Sequence, residues 1–190
     1  MRLWIIDAGY LFNACRTVEQ GYRLDYLKLR KKLEESGPIW RAYYLNSTPN
    51  PPTDAQDAFH TWLRSAPPRG PQLITKLHEL KTIRANRAHC NECSTQVELT
   101  CPHGTQHDLA NQQQKGVDVG IATLALIHRD RYQTLLLSSG DSDLLDAVEF
   151  LSENGKRIEL AVFYDGVATE LQSRADDVHW LNEFADEIHR

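Results

Sequence analysis

Two aspartates, Asp141 and Asp143, follow a short apolar run in the segment LLLSSGDSDLL, residues 135–145. A short apolar run that ends at a Gly turn is typical of a strand buried on both faces, as in a parallel sheet. The segment LWII, residues 3–6, has the same character and is followed by Asp7. Because ligands of open α/β sheets bind beyond the carboxyl ends of the strands, we expect these carboxylates to meet at one edge of a sheet.

A fourth aspartate, Asp118, lies in the first turn of the predicted helix GVDVGIATLALIHR, residues 116–129. An aspartate at the start of a helix often serves only as a cap, and this alternative applies to Asp118 and to Asp141. Clustered carboxylates repel one another unless a cation lies between them, and oxygen-only ligands favour Mg²⁺ or Mn²⁺. Such an ion could activate water for displacement at phosphorus. The predicted catalytic and metal-binding residues are Asp7, Asp118, Asp141 and Asp143.

Cysteine and histidine cluster in the segment HCNECSTQVELTCPHGTQH, residues 89–107. A C-x2-C pair followed by a third cysteine and histidines is typical of tetrahedral Zn²⁺ sites. Three thiolates and one imidazole would close the coordination shell, so this zinc would be structural. A redox C-x-x-C pair and plain buried thiols are the other interpretations, and residues 96–99 are expected to pair as a strand within this finger. The predicted zinc ligands are Cys90, Cys93, Cys101 and His103, with His107 and His89 as alternatives for the last.

The elements that must position these residues alternate between strand and helix. Strands are predicted at residues 3–6, 40–45, 135–138 and 158–163, and a short one after residue 178. Helices are predicted at residues 25–35, 53–63, 116–129, 141–153 and 168–173. Residues 72–88 fit either state and are predicted as strand, and the residues after Ala8-Gly9 are predicted as an aromatic-rich turn. This alternation favours an α/β fold with a parallel sheet.

The composition is that of a globular chain of 190 residues, 41% of them hydrophobic. We expect one domain, residues 1–190, with the finger at 89–107 inserted. No apolar run approaches the roughly 20 residues of a membrane span, and the first residues lack the pattern of a secretory signal, so we expect a cytoplasmic protein. The formal net charge is −5, but residues 64–89 contain six Lys or Arg and one Glu. This stretch could bind a phosphate backbone or be an uneven solvated surface.

The order of five segments resembles the NYN domain family of PIN-like metal-dependent ribonucleases. The segments are IIDAGYLF, KGVDVGIA, LLLSSGDSDLL, GKRIELAVF and LQSRADDVHWL, and the resemblance extends from Leu3 to Leu181. The resemblance implies a three-layer α/β/α sandwich with a central, mainly parallel sheet, to which some branches add a cysteine-rich insertion. It also implies that the four aspartates bind Mg²⁺ or Mn²⁺ in the cleavage of single-stranded RNA.

Two positions depart from the family pattern: Tyr10 stands where an Asn is common, with Asn13 as the nearest substitute, and Leu124 stands where many members have an acid. We therefore expect one firmly held ion and a weaker second. The predicted function is a metal-dependent endoribonuclease acting on single-stranded or structured RNA. A catalytically silent RNA- or protein-binding adaptor and a small-molecule phosphohydrolase are the alternatives, and a homo-oligomer stays open. The predicted substrate-binding residues are Lys115, Asn13, Ser139, Arg84 and Arg87.

Overall fold

A central sheet of six parallel strands organises the chain in the computed structural model, which describes residues 1–104, 107 and 109–190. The strands are β1 (Arg2–Asp7), β2 (Ile39–Thr48), β3 (Ile74–Glu79), β4 (Lys81–Arg84), β5 (Arg87–His89), β6 (Gln96–Glu98), β7 (Ala110–Gln113), β8 (Thr134–Ser138), β9 (Arg157–Val162) and β10 (Asp177–Trp180). Strands β4 to β7 lie outside the central sheet, in residues 81–113, a segment called the insertion below. The central sheet has the order β10-β9-β8-β1-β2-β3, and every neighbouring pair in it runs parallel.

Helices cover both faces of this sheet. They are α1 (Ala8–Ala14), α2 (Tyr26–Glu34), α3 (Asp54–Arg64), α4 (Val117–Ile127), α5 (Leu145–Glu153), α6 (Thr169–Arg174) and α7 (Ala185–Ile188), with short 3-10 helices at Cys15–Thr17, Arg129–Arg131, Ser142–Leu144 and Leu181–Phe184. One hydrophobic core joins the sheet to α1, α2, α3 and α7, and a second joins it to α4, α5 and α6. The predicted three-layer α/β/α sandwich is therefore confirmed.

Strand β1 shows why the sheet is buried on both sides. Its side chains alternate between the two cores: Trp4 and Ile6 lie in the first, Leu3 and Ile5 in the second, and all four are inaccessible to solvent. A continuous apolar run is what a parallel strand needs when helices cover both of its faces.

The order of the strands reverses between β1 and β8. From β1 the chain moves outward through β2 and β3, then returns to place β8 on the other side of β1 and continues through β9 and β10. Ile6 is in register with Ser138, so the carboxyl ends of β1 and β8 lie side by side. Such a switch point opens a crevice between the loops that leave the two strands, and ligands of open α/β sheets bind there.

Some local predictions differ from the structure. The aromatic-rich turn after Ala8-Gly9 is wrong, because Ala8–Ala14 forms a helix that Asp7 caps. Residues 72–88 are strand, as predicted, but they divide into β3, which joins the central sheet, and two strands of the insertion. The helix expected from Asp141 begins at Leu145, after a 3-10 turn.

The insertion consists of two antiparallel ribbons with exposed strands. Strand β4 pairs with β7, and β5 pairs with β6, which confirms the strand expected near residues 96–99. The predicted finger, residues 89–107, includes Thr105 and Gln106, which lie outside the described residues. Among the helices that the structure describes, none is long and apolar enough to cross a membrane.

Candidate active site

A cavity of about 430 Å³ opens at the switch point. Three of the four predicted aspartates line it, each from a different part of the fold: Asp7 ends β1, Asp118 begins α4, and Asp141 follows β8. The complete lining is Asp7, Gly9, Tyr10, Asn13, Gln114, Asp118, Gly140, Asp141 and Gly166.

Asp7 is the most buried of the three aspartates, with 8% of its surface exposed. One carboxylate oxygen, Oδ1, accepts a hydrogen bond from the backbone N–H of Tyr10 at 3.1 Å, which caps α1. The other, Oδ2, accepts one from the Ser139 hydroxyl at 3.1 Å. Burial raises the pKa of Asp7 above its ordinary value and the charge of Asp118 raises it further, although the bonds from Tyr10 and Ser139 oppose this. Asp7 is therefore fixed in place and poorly solvated, and no cationic side chain of the described residues forms an ion pair with it.

Asp118 belongs to the first turn of α4 but does not cap it. The cap residue is Gly116, whose φ of +85° favours glycine, and no side chain bonds to the helix end there. Burial raises the pKa of Asp118, and the charges of Asp141 and Asp143 raise it further. The capping interpretation thus fails for Asp118, and the carboxylates are near enough to repel one another.

Asp141 and Asp143 differ in their placement. Asp141 caps the 3-10 helix, since its Oδ1 accepts a hydrogen bond from the backbone N–H of Asp143 at 2.9 Å. Asp143 is exposed and is outside the cavity lining. Its charge still reaches Asp118, so Asp143 lies near the other acids but not among the residues that enclose the cavity.

Ser139 connects two walls of the site. It is completely buried, and its Oγ donates to Asp7 while accepting from the backbone N–H of Asp141 at 3.3 Å. The sequence had suggested that Ser139 contacts the substrate. The fully buried hydroxyl makes both bonds inside the protein and holds the Asp7 carboxylate, an arrangement that no sequence pattern indicates, and contact with the substrate stays a prediction.

Tyr10 occupies the position where an Asn is common in the resembling family. Its hydroxyl donates to the carbonyl oxygens of Phe163 and Asp165 and accepts from the Phe163 backbone N–H, at 3.2 to 3.3 Å. The ring packs over Gly140, where an added Cβ would lie 2.8 Å from Tyr10 Cε2 and would overlap the Gly166 carbonyl. Tyr10 therefore forms part of the cavity wall and joins α1 to the end of β9.

The remaining predicted positions fall into two groups. Asn13 lines the cavity, as does Gln114, which no sequence pattern had indicated; a Cβ on Gly9 would meet the Gln114 amide at 3.1 Å. Lys115 is exposed and outside the lining. Arg84 and Arg87 lie on the exposed strands of the insertion, and Arg87 forms a salt bridge with Glu98 at 3.4 Å. Leu124, which stands where many family members have an acid, lies on α4 and is buried in the second core.

The donor atoms around the cavity fit a hard divalent cation. The lining carboxylates provide oxygen ligands, and no cationic side chain is among the groups that shift the pKa of Asp7 or Asp118. Within the described residues, no three His, Cys, Asp or Glu side chains are close enough to hold a metal ion by themselves. This matches the way in which Mg²⁺ is usually bound, through one or two carboxylates together with water and substrate phosphate.

The predicted zinc ligands form two separate pairs. Cys90 and Cys93 share a turn after β5, and hydrogen bonds from Thr95 and then from Cys90 lower the pKa of the Cys93 thiol. Cys101 Sγ lies 3.3 Å from Nδ1 of His107. The neighbour of Cys101 is thus His107, where His103 had been preferred.

Comparison with known proteins agrees with the fold. The family model described as the NYN domain matches residues 2–182. The chain belongs to the NYN domain family. NYN domains are generally nucleases of PIN-like fold that use divalent metal ions. Membership in this family suggests RNA as the substrate. A protein of unknown function from Vibrio parahaemolyticus has the same fold, with a TM-score of 0.69 and 17% identity over 100% of this chain and 95% of that one. No curated protein matches the chain.

Proposed function

We propose that this NYN domain is a metal-dependent endoribonuclease. The observation that carries the proposal is the convergence of Asp7, Asp118 and Asp141 on one cavity at the switch point of the sheet. Mutual repulsion and the burial of Asp7 make the ionised form of these carboxylates unfavourable without a counterion. A bound cation would relieve both effects.

A Mg²⁺ or Mn²⁺ ion held by these carboxylates would neutralise charge at the scissile phosphate and make water a better nucleophile. The protein would supply orientation: Ser139 fixes Asp7, and the Tyr10 wall fixes the position of Gly140. The side-chain amides of Asn13 and Gln114 are proposed to donate hydrogen bonds to the phosphate, because they line the same cavity. We keep Asp143 in the catalytic set as an exposed outer ligand, and Lys115, Arg84 and Arg87 as more distant contacts to the RNA backbone.

The decisive experiment is cleavage of a labelled single-stranded RNA in Mn²⁺. Asp141→Asn is the test variant, because asparagine still caps a helix well but does not carry the carboxylate charge. Asp130→Asn is the matched control, since Asp130 is a highly exposed aspartate outside the cavity. We expect cleavage by the unmodified protein and by Asp130→Asn, and a loss of about 100-fold or more in Asp141→Asn.

Two results would contradict the proposal. Equal cleavage by all three proteins would identify a contaminating nuclease. Salt-sensitive RNA binding without cleavage by any of them, in Mg²⁺ or in Mn²⁺, would identify a silent RNA-binding adaptor of the same fold.

We also propose a structural zinc ion in the insertion, which would bring the two separate pairs, Cys90 with Cys93 and Cys101 with His107, together around one metal. The support is the C-x2-C turn and the contact between Cys101 and His107. Elemental analysis of protein purified without chelator is expected to give about one Zn per chain, and His107→Ala is expected to lose it while His103→Ala retains it. Full zinc content in His107→Ala and loss in His103→Ala would restore the ligand set first predicted.

A further inference from the structure

A second and larger cavity, of about 1060 Å³, adjoins the carboxylate cavity. The two share Gly9, Asn13 and Gln114 in their linings. Pockets for small-molecule ligands usually have volumes of about 300–1,000 Å³, so the second cavity is large enough for a ligand such as one nucleotide. A chain bound at the carboxylates could therefore continue past Asn13 into this space.

The charge of the second cavity is opposite to that of the first. Its lining contains three arginines, Arg16, Arg23 and Arg190, and one acid, Glu19. Among the residues that the structure describes, the carboxylate cavity is lined by three acids and by no Lys or Arg. A phosphate is attracted by the arginines directly, whereas it is repelled by the carboxylates unless a cation is bound. The second cavity is thus the place where the phosphates of a nucleic-acid strand are attracted without a metal.

Phe12 provides an apolar surface in the lining of the second cavity. It precedes the shared Asn13 on α1, and 61% of its surface is exposed, although it is a large apolar side chain. The guanidinium of Arg16 lies 4.9 Å from the centre of its ring. An exposed aromatic ring beside arginines is the combination on which proteins stack unpaired bases while holding the backbone.

We propose that the second cavity is a subsite for an unpaired nucleotide next to the scissile phosphate, with its base stacked on Phe12 and its phosphate bound by Arg16 and Arg23. The inference deepens the proposed function and rests on it for the location of the scissile phosphate. Because the bases of a duplex already stack on one another, the subsite selects single-stranded RNA and disfavours paired RNA. Phe12 is thus a specificity-determining residue.

Binding of a fluorescein-labelled 12-nucleotide uridine RNA tests the stacking contact. We use the Asp141→Asn background with Mg²⁺, so that binding is measured without turnover. Phe12→Ala is expected to weaken binding about 5- to 150-fold, as for the loss of one base–aromatic stack. The matched control is Phe150→Ala, because Phe150 is also exposed and has the guanidinium of Arg129 5.9 Å from its ring centre, but lines neither cavity. We expect Phe150→Ala to bind like the background protein.

An abasic strand of the same length separates stacking from a general loss of structure. The abasic strand has no base to stack, so it should bind Phe12→Ala as tightly as it binds the background protein that retains Phe12. For the phosphate contact, Arg16→Ala and Arg23→Ala should each reduce the slope of log K against log salt by about 0.7, whereas Arg129→Ala should leave it unchanged.

The outcomes distinguish this subsite from the nuclease activity. If the unmodified protein cleaves RNA but Phe12→Ala binds the uridine strand as tightly as Phe150→Ala does, the subsite is refuted and the proposed function stands. If Phe12→Ala loses affinity in a protein that never cleaves RNA, the subsite is supported and the proposed function is refuted. Equal weakening for the uridine and abasic strands would also refute the stacking role.

Discussion

Replacing Ser139 with alanine removes the hydroxyl that joins Asp7 to the backbone of Asp141. The change affects no exposed atom, because Ser139 is fully buried and its Oγ bonds only inside the protein. If Ser139 positions the first carboxylate, its loss must alter metal binding without altering any group that touches the metal or the RNA.

The magnitude follows from the bond that is lost. A hydrogen bond to a charged group contributes about 1.5–3 kcal/mol, and 1.4 kcal/mol is tenfold in an equilibrium constant. The bond from the Asp141 N–H, at 3.3 Å, is longer than usual and contributes less. We therefore expect Ser139→Ala to weaken Mn²⁺ binding about 10- to 100-fold, the range found when a group that supports a metal ligand is removed.

The pKa of Asp7 determines the direction in which the pH dependence of Mn²⁺ binding shifts in Ser139→Ala. The Ser139 hydrogen bond lowers the pKa of Asp7, which burial has raised. Without that bond the Asp7 pKa rises further, so protons compete with Mn²⁺ up to a higher pH. The pH at which half of the Mn²⁺ affinity is reached should therefore move upward in Ser139→Ala.

Isothermal titration with Mn²⁺ at several pH values measures both effects, and Ser138→Ala is the control. Ser138 is the preceding residue and is also fully buried, but its Oγ accepts from Trp4 Nε1 at 3.0 Å. Both variants should lose stability, about 1–3 kcal/mol each, whereas only Ser139→Ala should lose Mn²⁺ affinity. An unchanged affinity and pH midpoint in Ser139→Ala, or an equal loss in both variants, would refute the positioning role.

Three further substitutions test charges and packing, two of them at the site and one, Glu159, at the buried ion pair with Arg2. The folded-state pKa of Asp118 is raised, so ionisation of Asp118 lowers stability as pH rises towards neutrality. In EDTA at pH 7, we therefore expect calorimetry to show that Asp118→Asn unfolds up to about 4 °C higher than the unmodified protein. Mn²⁺ should stabilise the unmodified protein but not this variant. Gly140→Ala places a Cβ against the Gly166 carbonyl and should lose roughly 1–3 kcal/mol or more in urea unfolding. Burial raises the pKa of Glu159, but hydrogen bonds from His179 and Arg2 outweigh burial and hold the pKa at about 2. Glu159→Gln leaves the buried Arg2 charge unpaired and should lower the free energy of unfolding by about 3–5 kcal/mol at pH 7. This difference should disappear as pH falls through about 2, where Glu159 itself becomes protonated.

The sheet was predictable because its inner strands carry a strong local signal. Each of the segments before Asp7 and Ser139 is a short apolar run with no polar face, and such a run is stable only between two layers of helices. Parallel strands then place their carboxyl ends at one edge, so the meeting of Asp7 with Asp141 followed from the fold class. The cavity that both residues line confirms that they share this edge.

Helix α1 was not predictable from the same pattern. It has seven residues, too few to show a clear apolar period, and it begins with Ala8 and Gly9. The helix forms because Asp7 caps it and because Leu11 and Ala14 pack into the first core. Both reasons depend on the position of β1 in the folded molecule.

The supporting residues of the site were also beyond sequence reasoning. The role of Ser139 depends on the neighbour that Asp7 finds across the sheet, which is separated from it by 132 residues in the chain. Gln114 and Arg23 show no motif, and they reach the two cavities only through the path of the loops. In the insertion, the later histidine, His107, is the neighbour of the Cys101 thiol, which the cysteine spacing alone did not indicate. Zinc binding itself stays a prediction.

Anomalous scattering from crystals soaked in Mn²⁺ tests the central claim most directly. The account predicts a manganese peak inside the switch-point cavity, within coordination distance of carboxylate oxygens from Asp118 and from at least one of Asp7 and Asp141, and no such peak in crystals of Asp118→Asn. A fully occupied manganese site elsewhere, with none at these carboxylates, would contradict it.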